Sequence, residues 1–444
     1  MDHVAALLTR HFPGSDRELR VGGVSIRQIA GEFGTPLFVY DASVLDRKWT
    51  ELRETLPPEF SICYSVKANP NRAILRRFLD KGAGLEVASA GELKQALAAG
   101  CPAERVLFAG PGKTEAEIET ALRAGVGELH VESSLEARRL IETARRLGVR
   151  ARAGLRVNPG VEVQGGAMRM GGKPAPFGVD EESLDEVIDT LVADPVVELR
   201  GLHIFSGTQI LDATVLVNQY RRGIEIARRL AGRLGRPLAT LDFGGGLGVP
   251  YFSTEHPLDT HKLRELLQGL MVEIEGDPSL AGTRFLVEPG RFLVAESGIY
   301  VARINDIKVS RGKTFYILDG GMNHHLAASG NLGQVIKRNF PLAVVNRLGE
   351  APSQNVDVVG PLCTPLDTLA REATLAPAEV GDLVGIFQSG AYGLSASPLG
   401  FLSHPTPAEV LAWGGETHLL RPAGQPEDVL KGQTGLPSGA KPSG

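Results

Sequence analysis

Lys67 stands in Tyr64-Ser-Val-Lys-Ala-Asn-Pro70, directly after a short run of β-forming residues. An amine at the end of a buried strand loses hydration. That disfavours its charge and frees it for Schiff-base chemistry. A surface lysine whose stem covers apolar area is the plain alternative. Glu288-Pro-Gly-Arg291 closes a later run. A carboxylate buried there needs a partner, either a protonated heterocycle nitrogen or a cation of the protein itself. The fork of Arg291 suits a phosphate or a carboxylate, or an ion pair within its own loop. His203 ends another run and could stack on a ring or move a proton; it could equally be a satisfied core residue. Gly244-Gly245-Gly246 follows Leu241-Asp242-Phe243 and bares backbone N–H groups that can approach an anion. A tight turn would use the same glycines. Val249 takes the last glycine position of a dinucleotide fingerprint. Leu107 takes the first glycine position of a P-loop reading of Gly110-Pro-Gly-Lys-Thr114, so neither motif is met. Cys363, in Gly360-Pro-Leu-Cys-Thr-Pro365, and Tyr392, in Ser389-Gly-Ala-Tyr-Gly393, fit either packing or chemistry. His324-His325 looks like a metal pair, but neighbours in a strand face opposite ways, which favours a non-metal role.

The elements that must hold these residues can be read from periodicity. Between residues 60 and 290, β-rich runs alternate with helical stretches. The runs are Ser61 to Lys67, Leu85 to Ser89, Val106 to Ala109, Leu129 to Glu132, Ala153 to Val157, Leu199 to Phe205, Thr240 to Phe243 and Arg284 to Glu288. Arg72 to Lys81, Gly91 to Ala99 and Glu115 to Ala124 carry apolar residues at helical spacing. About eight β-α units favour a closed (β/α)8 TIM barrel over an open doubly wound sheet. In a barrel, chemistry gathers at the C-terminal strand ends, where Lys67, Glu86 to Ser89, His203 to Ser206, Gly244 to Gly246 and Glu288 to Arg291 fall. Beyond Glu288 the runs Ile299 to Val309, Thr314 to Leu318, Val356 to Val359 and Leu383 to Phe387 read as a β domain. Leu19 to Val24 and Leu37 to Tyr40 are expected to join it. The boundaries so drawn are 39–290 for the barrel, 1–38 with 291–432 for the all-β domain, and 433–444 for a disordered tail.

Composition narrows the function classes. The 444 residues carry 47 Lys+Arg against 52 Asp+Glu, a net charge of −5, which leaves no basic footprint for nucleic acid. No apolar run is long enough to span a bilayer, and the first residues hold no signal-peptide core. Cys63, Cys101 and Cys363 are few, odd in number and scattered, which points to a reducing, cytoplasmic setting.

Taken together, the motifs resemble the fold-type III pyridoxal-phosphate decarboxylases, the group of diaminopimelate, ornithine and arginine decarboxylases. The resemblance rests on Tyr64 to Pro70, Glu86 to Glu92, His203 to Gln209, Asp242 to Gly248, Glu288 to Arg291, Asp319-Gly-Gly-Met322, Gly360 to Cys363 and Gly390-Ala-Tyr392, which occur in family order. It implies pyridoxal 5'-phosphate as cofactor, with Lys67 as its Schiff-base lysine. It further implies that Glu288 pairs with the pyridine nitrogen and that His203 stacks on the ring. Ser206, Gly245, Gly246, Gly290, Arg291 and Tyr392 match phosphate contacts, and Glu86 matches an acidic residue near the Schiff base. Cys363 matches a cysteine supplied by the partner subunit for reprotonation of the α-carbon, so the resemblance implies a homodimer with shared sites.

On the substrate side the resemblance singles out Thr364, Arg291 and Tyr392. Diaminopimelate decarboxylases have an acidic residue after the cysteine, where this chain has Thr364. They also have an arginine near the position of Ala327. Losing both removes the groups that would grip a charged distal end. A closer subgroup likeness lies in Ala167-Met-Arg-Met-Gly-Gly172, Phe177-Gly-Val-Asp180, Cys363-Thr-Pro365 and Phe401-Leu-Ser-His-Pro405. These resemble decarboxylases associated with exosortase A systems and the butirosin decarboxylase of a carrier-borne glutamyl group. The expected reaction is therefore decarboxylation of an L-amino acid or of an aminoacyl group tethered to an acyl carrier protein. Diaminopimelate decarboxylation is the alternative, followed by a racemase or a non-catalytic homologue. Racemases of this fold set an arginine at the pyridine nitrogen, where this chain has Glu288.

Overall fold

The computed structural model describes residues 3–160, 168–169, 174–205, 207–334 and 336–435. Eight parallel strands form one sheet: β1 (Phe60–Ser65), β2 (Gly84–Val87), β3 (Val106–Phe108), β4 (Glu128–Val131), β5 (Ala151–Asn158), β6 (Val197–Ile204), β7 (Thr240–Asp242) and β8 (Arg284–Val287). The sheet closes, because β8 pairs with β1 through Leu286↔Ser61 and β4 pairs with β5 through His130↔Gly154. The closed (β/α)8 barrel is thus the architecture, as the repeat number implies.

The helices between the strands follow from local chemistry. The helix Arg72–Asp80 buries Ile74, Leu75, Phe78 and Leu79 on one stripe, and the Asn71 side chain accepts the N–H of Ala73 at its start. Glu115–Ala124 opens with a reciprocal capping box between Thr114 and Glu117 and ends on left-handed Gly125. Each buried apolar side chain of this kind contributes about 1.5–3 kcal/mol. Lys113, in the stretch that resembles a P-loop, is buried and donates to the carbonyls of Gly110 and His130 and to Glu136, each at 2.6 Å. It ties β3 and β4 to the helix Ser134–Leu147 and has no anion-cradling geometry.

Two compact units emerge. The first comprises residues 1–11, 41–299 and 387–395; the second comprises residues 12–40, 300–386 and 396–444. Three stretches outside 39–290 thus pack with the barrel: 1–11, 291–299 and 387–395. The helix His3–His11 is tied in by His11, 3.3 Å from Glu296, which also pairs with Lys48 at 3.2 Å. The segment 387–395 returns through Gln388, which donates to the Pro250 carbonyl at 2.8 Å. It is further held by Asn69, which donates to the Gly390 carbonyl at 3.1 Å. These partners lie far apart in sequence, so local pattern does not reveal them. Of the last twelve residues, 433–435 are described and 436–444 lie outside the described residues.

The second unit is built on a sheet ordered Thr368–Leu375, Gln354–Val359, Lys313–Leu318, Gly298–Ser310, Leu37–Asp41, Ala408–Trp413 and Glu416–Arg421. Leu383–Ile386 also pairs with Gly298–Ser310 and with Leu342–Val344. Leu37–Asp41 therefore joins the β unit as its composition implies. His324 and His325 lie in a turn, not a strand, because Gly320 and Gly321 let the chain pack against Tyr300 and the Asp367 carboxylate. Both rings are buried among Tyr300, Phe38 and Phe340. Burial draws His324 down to about 4 and His325 to about 3, so both are neutral core residues at neutral pH. Among the described residues neither belongs to a metal-ligand cluster.

The return of 387–395 makes a test. A Cβ on Gly390 would fall 1.8 Å from the Val294 carbonyl oxygen. Gly390→Ala is expected to cost about 1–3 kcal/mol and to lower the thermal unfolding midpoint by several degrees, read by circular dichroism.

Candidate active site

The barrel mouth is assembled from neighbouring strands. Lys67 sits two residues past the end of β1, in the short turn Val66–Ala68. Glu86 is inside β2, His203 inside β6, and Glu288 one residue past β8. The ladder ends earlier than the β-rich runs do, so Lys67 and Glu288 stand on the rim.

Lys67 Nζ lies 3.0 and 3.1 Å from the two oxygens of Glu86, whose Oε2 also accepts from Ser65 Oγ. The lysine side chain is half exposed, while Glu86 is buried. Burial alone pulls the ammonium down, but the carboxylates of Glu86 and Glu288 outweigh it and raise Lys67 above a usual lysine. Desolvation is therefore present, as expected at this position, but does not win.

Glu288 Oε2 is 3.4 Å from His203 Nε2. Its other oxygen is buried, and the Asp242 carboxyl lies within hydrogen-bonding reach of Glu288. Burial pushes the carboxyl up; His203, His130 and Lys67 pull harder and leave it well below the usual range. Asp242 beside it moves the other way, raised by burial and by the charge of Glu288. Of the two neighbouring acids, Asp242 is thus the one pushed toward holding a proton and Glu288 the one pushed toward ionisation. A carboxyl depressed in this way adds stability above its unfolded range and loses it as pH falls through its folded value.

Gly244 and Gly246 adopt left-handed backbones, φ +67° and +98°. A Cβ on Gly245 would come within 2.6 Å of the Glu288 carbonyl oxygen, so close packing also demands the glycine. Among the described residues no acceptor faces the N–H of Gly245 or Gly246. Gly290 packs against Ser65 and Ala68, where a Cβ would meet theirs at 3.1 and 2.9 Å. The Arg291 guanidinium donates to Tyr251 Oη at 3.1 Å and lies 4.8 Å over the Tyr392 ring; its Nε is buried and unpartnered. Tyr392 itself has φ +53° and donates its N–H to the Ala68 carbonyl at 2.8 Å.

Thus Lys67, Glu86, His203, Gly245, Gly246, Glu288, Gly290, Arg291 and Tyr392 all belong to the barrel unit. Cys363 and Thr364 belong to the other unit. There the Asp367 carboxylate accepts from the N–H groups of Met322 (2.6 Å) and Leu362 (2.9 Å) and shapes the loop that leaves the Cys363 thiol exposed. Ser206 lies outside the described residues, as does most of the 164–177 loop; Met168–Arg169 pairs with Gly207–Thr208.

Several residues join the site that the strand-end rule alone does not find. Tyr251 holds Arg291. Arg156 of β5 donates to Glu132 at 2.9 Å, and Glu132 accepts from Gly178 N–H at 3.0 Å. His130 packs its ring on His203. The signal for β4 was present: Glu128, His130 and Glu132 alternate and so share one face.

The arrangement suits a phosphorylated heterocyclic aldehyde. The buried carboxylate of Glu288 beside His203, the N–H groups of Gly245 and Gly246 with no acceptor among the described residues, the buried Nε of Arg291 and the amine of Lys67 are the donor and acceptor types such a group would need. Comparison with known proteins agrees. Residues 42–295 match the family model described as pyridoxal-dependent decarboxylase, pyridoxal binding domain. The chain is 36% identical to an L-glutamyl-[BtrI acyl-carrier protein] decarboxylase of Niallia circulans, over 92% of this chain and 96% of that protein. It is 32% identical to a diaminopimelate decarboxylase of Methanothermobacter thermautotrophicus, over 94% and 95%. The crystal structure of a diaminopimelate decarboxylase from M. jannaschi superposes with a TM-score of 0.86 at 26% identity, covering 95% of this chain and 97% of that one.

The Lys67–Glu86 pair makes a direct expectation. In Glu86→Gln, Lys67 should lose its proton about one pH unit sooner, so amine acylation at about pH 9, followed by mass spectrometry, should run about tenfold faster at this lysine.

Proposed function

This chain belongs to the pyridoxal-dependent decarboxylases, and from that premise we propose that it decarboxylates an L-amino acid or an aminoacyl group carried on an acyl carrier protein. The observation that carries the reading is the buried Glu288 carboxylate one residue past β8, 3.4 Å from His203 and held below the usual carboxyl range by His203, His130 and Lys67, on the same rim as the Lys67 amine.

Pyridoxal phosphate, when bound, supplies an electron sink for the carbanion left as CO2 departs. The chain does the rest. Lys67 would hold the cofactor through its amine, with Glu86 as the counter-charge 3.0 Å away. Glu288 would pair with the pyridine nitrogen, and His203 would flank the ring. Gly245, Gly246, Gly290, Arg291 and Tyr392 would hold its phosphate; Ser206, expected to join them, lies outside the described residues. The C–C bond to the carboxylate breaks, CO2 leaves, and a proton must reach the α-carbon. Cys363 of a second copy of the chain donates it.

An uncharged or tethered distal end is favoured by Thr364 and Ala327, which offer neither a carboxylate nor a guanidinium. The likeness to a decarboxylase of a carrier-borne glutamyl group supports the same choice. Mass-spectrometric detection of CO2 loss from glutamyl-carrier protein, and from free diaminopimelate, lysine, ornithine and arginine, separates the readings. Turnover of the carrier-bound group alone is expected. Fast turnover of free diaminopimelate would return the assignment to the alternative.

Two variants probe the machinery. Lys67→Ala should abolish both turnover and the visible absorption of the cofactor–lysine adduct. Mixing Lys67→Ala with Cys363→Ala, each inactive, should restore roughly a quarter of wild-type sites if the site is shared across a two-fold dimer. Failure to complement would place both groups in one protomer.

A further inference from the structure

The inner face of β4 carries chemistry that the proposed reaction does not use. Glu128 and His130 alternate along the strand and are both buried, at 2% and 0% exposure. Glu128 Oε1 lies 3.4 Å from His130 Nε2, and its Oε2 accepts from Thr240 Oγ1 of β7 at 2.7 Å. Two glycines make the room. A Cβ on Gly154 of β5 would come within 2.2 Å of Glu128 Oε1 and 2.7 Å of the His130 ring. A Cβ on Gly201 of β6 would come within 1.9 Å of Thr240 Oγ1 and 2.8 Å of Glu128 Oε1. A barrel layer usually filled by branched apolar side chains instead holds an acid, an imidazole and a hydroxyl. Desolvating such groups carries a cost that an apolar layer would avoid.

Above this layer the rings of His130 and His203 lie 4.6 Å apart at 38°. His203 in turn reaches Glu288. A polar column therefore runs from Glu128 through His130 and His203 to the carboxylate at the mouth. Below it Glu128 borders a cavity of about 630 Å³ that Arg152, Arg200 and Arg284 also line.

We propose that His130, braced by Glu128, is a positioning residue that orients His203 and through it the carboxylate of Glu288; the proposal rests on the assignment of Glu288 to the pyridine nitrogen. The charges favour the same chain of contacts. Two adjacent imidazoles resist double protonation. Burial, and His130 besides, hold His203 below its usual range against the pull of Glu288. The other charged groups facing the column are Arg156 at His203, Lys67 and Asp242 at Glu288, and Arg200 at Glu128.

The test reads the cofactor-free protein first. Nitrogen-15 histidine spectra, with His203 assigned through His203→Gln, follow its titration in wild type, His130→Asn, Glu128→Gln and the double variant. In His130→Asn the His203 midpoint should rise by about one pH unit. Glu128→Gln should shift it only while His130 is present, so the double variant should match His130→Asn. Cofactor affinity should weaken several-fold in His130→Asn. An unchanged His203 titration overturns the proposal, as does an equal effect of Glu128→Gln with and without His130. If Asn at position 130 unfolds the barrel, His130→Gln serves in its place. A wild type that takes up no cofactor would refute the proposed function, while the spectra would still decide the role of His130.

Discussion

An isolated carboxyl in the interior of a barrel takes up a proton, because burial disfavours its charge by more than a distant cation returns. Glu288 is pulled the other way because the barrel surrounds it with His203, His130 and Lys67, while Asp242 beside it is pushed up by burial and by Glu288. Each pKa unit between the two acids corresponds to about 1.4 kcal/mol. The rest of the mouth depends on that division. The negative charge of Glu288 helps to keep the Lys67 amine protonated in the absence of cofactor. Its backbone carbonyl approaches Gly245 so closely that only glycine fits. Its loop delivers Arg291 to the two tyrosines.

The strand-end rule made much of this legible. Lys67, His203, the Gly244 to Gly246 run and Glu288 could be assigned to one rim because eight alternating units imply a closed barrel, and a closed barrel has one such rim. What stayed hidden was long-range or lay below the rim. Glu128 and His130 show the right alternation, but their meaning depends on Gly154 and Gly201 across the barrel interior. Tyr392 read as part of the β domain by its position in the chain, yet its N–H and its ring are held by Ala68 and Arg291. His324-His325 read as a strand pair, yet Gly320 and Gly321 turn the chain there and bury both rings.

The glycines illustrate why residue type alone underdetermines function. Gly245 is demanded by packing against the Glu288 carbonyl and, in the same place, offers an N–H with no acceptor among the described residues. One residue meets a folding constraint and, in the proposed function, would also serve the ligand. By contrast, Gly110-Pro-Gly-Lys-Thr114 imitates an anion loop while its lysine is consumed by two carbonyls and Glu136. Hydrogen-bond accounting separates the two cases where composition could not.

The return of residues 387–395 to the barrel has a consequence for biosynthesis. Residues 300–386 of the β unit are, in topological terms, an insertion between two parts of the barrel unit. A nascent chain has all eight barrel strands once β8 has emerged, yet it lacks the Gln388 and Gly390 contacts and the Tyr392 ring until just over a hundred further residues are translated. At about 5–20 residues per second the unfinished mouth waits several seconds for its last wall. Completion of the barrel mouth is thereby coupled to synthesis of the intervening β segment, and a chain truncated before residue 387 would keep every barrel strand but lose the tyrosine that faces Arg291.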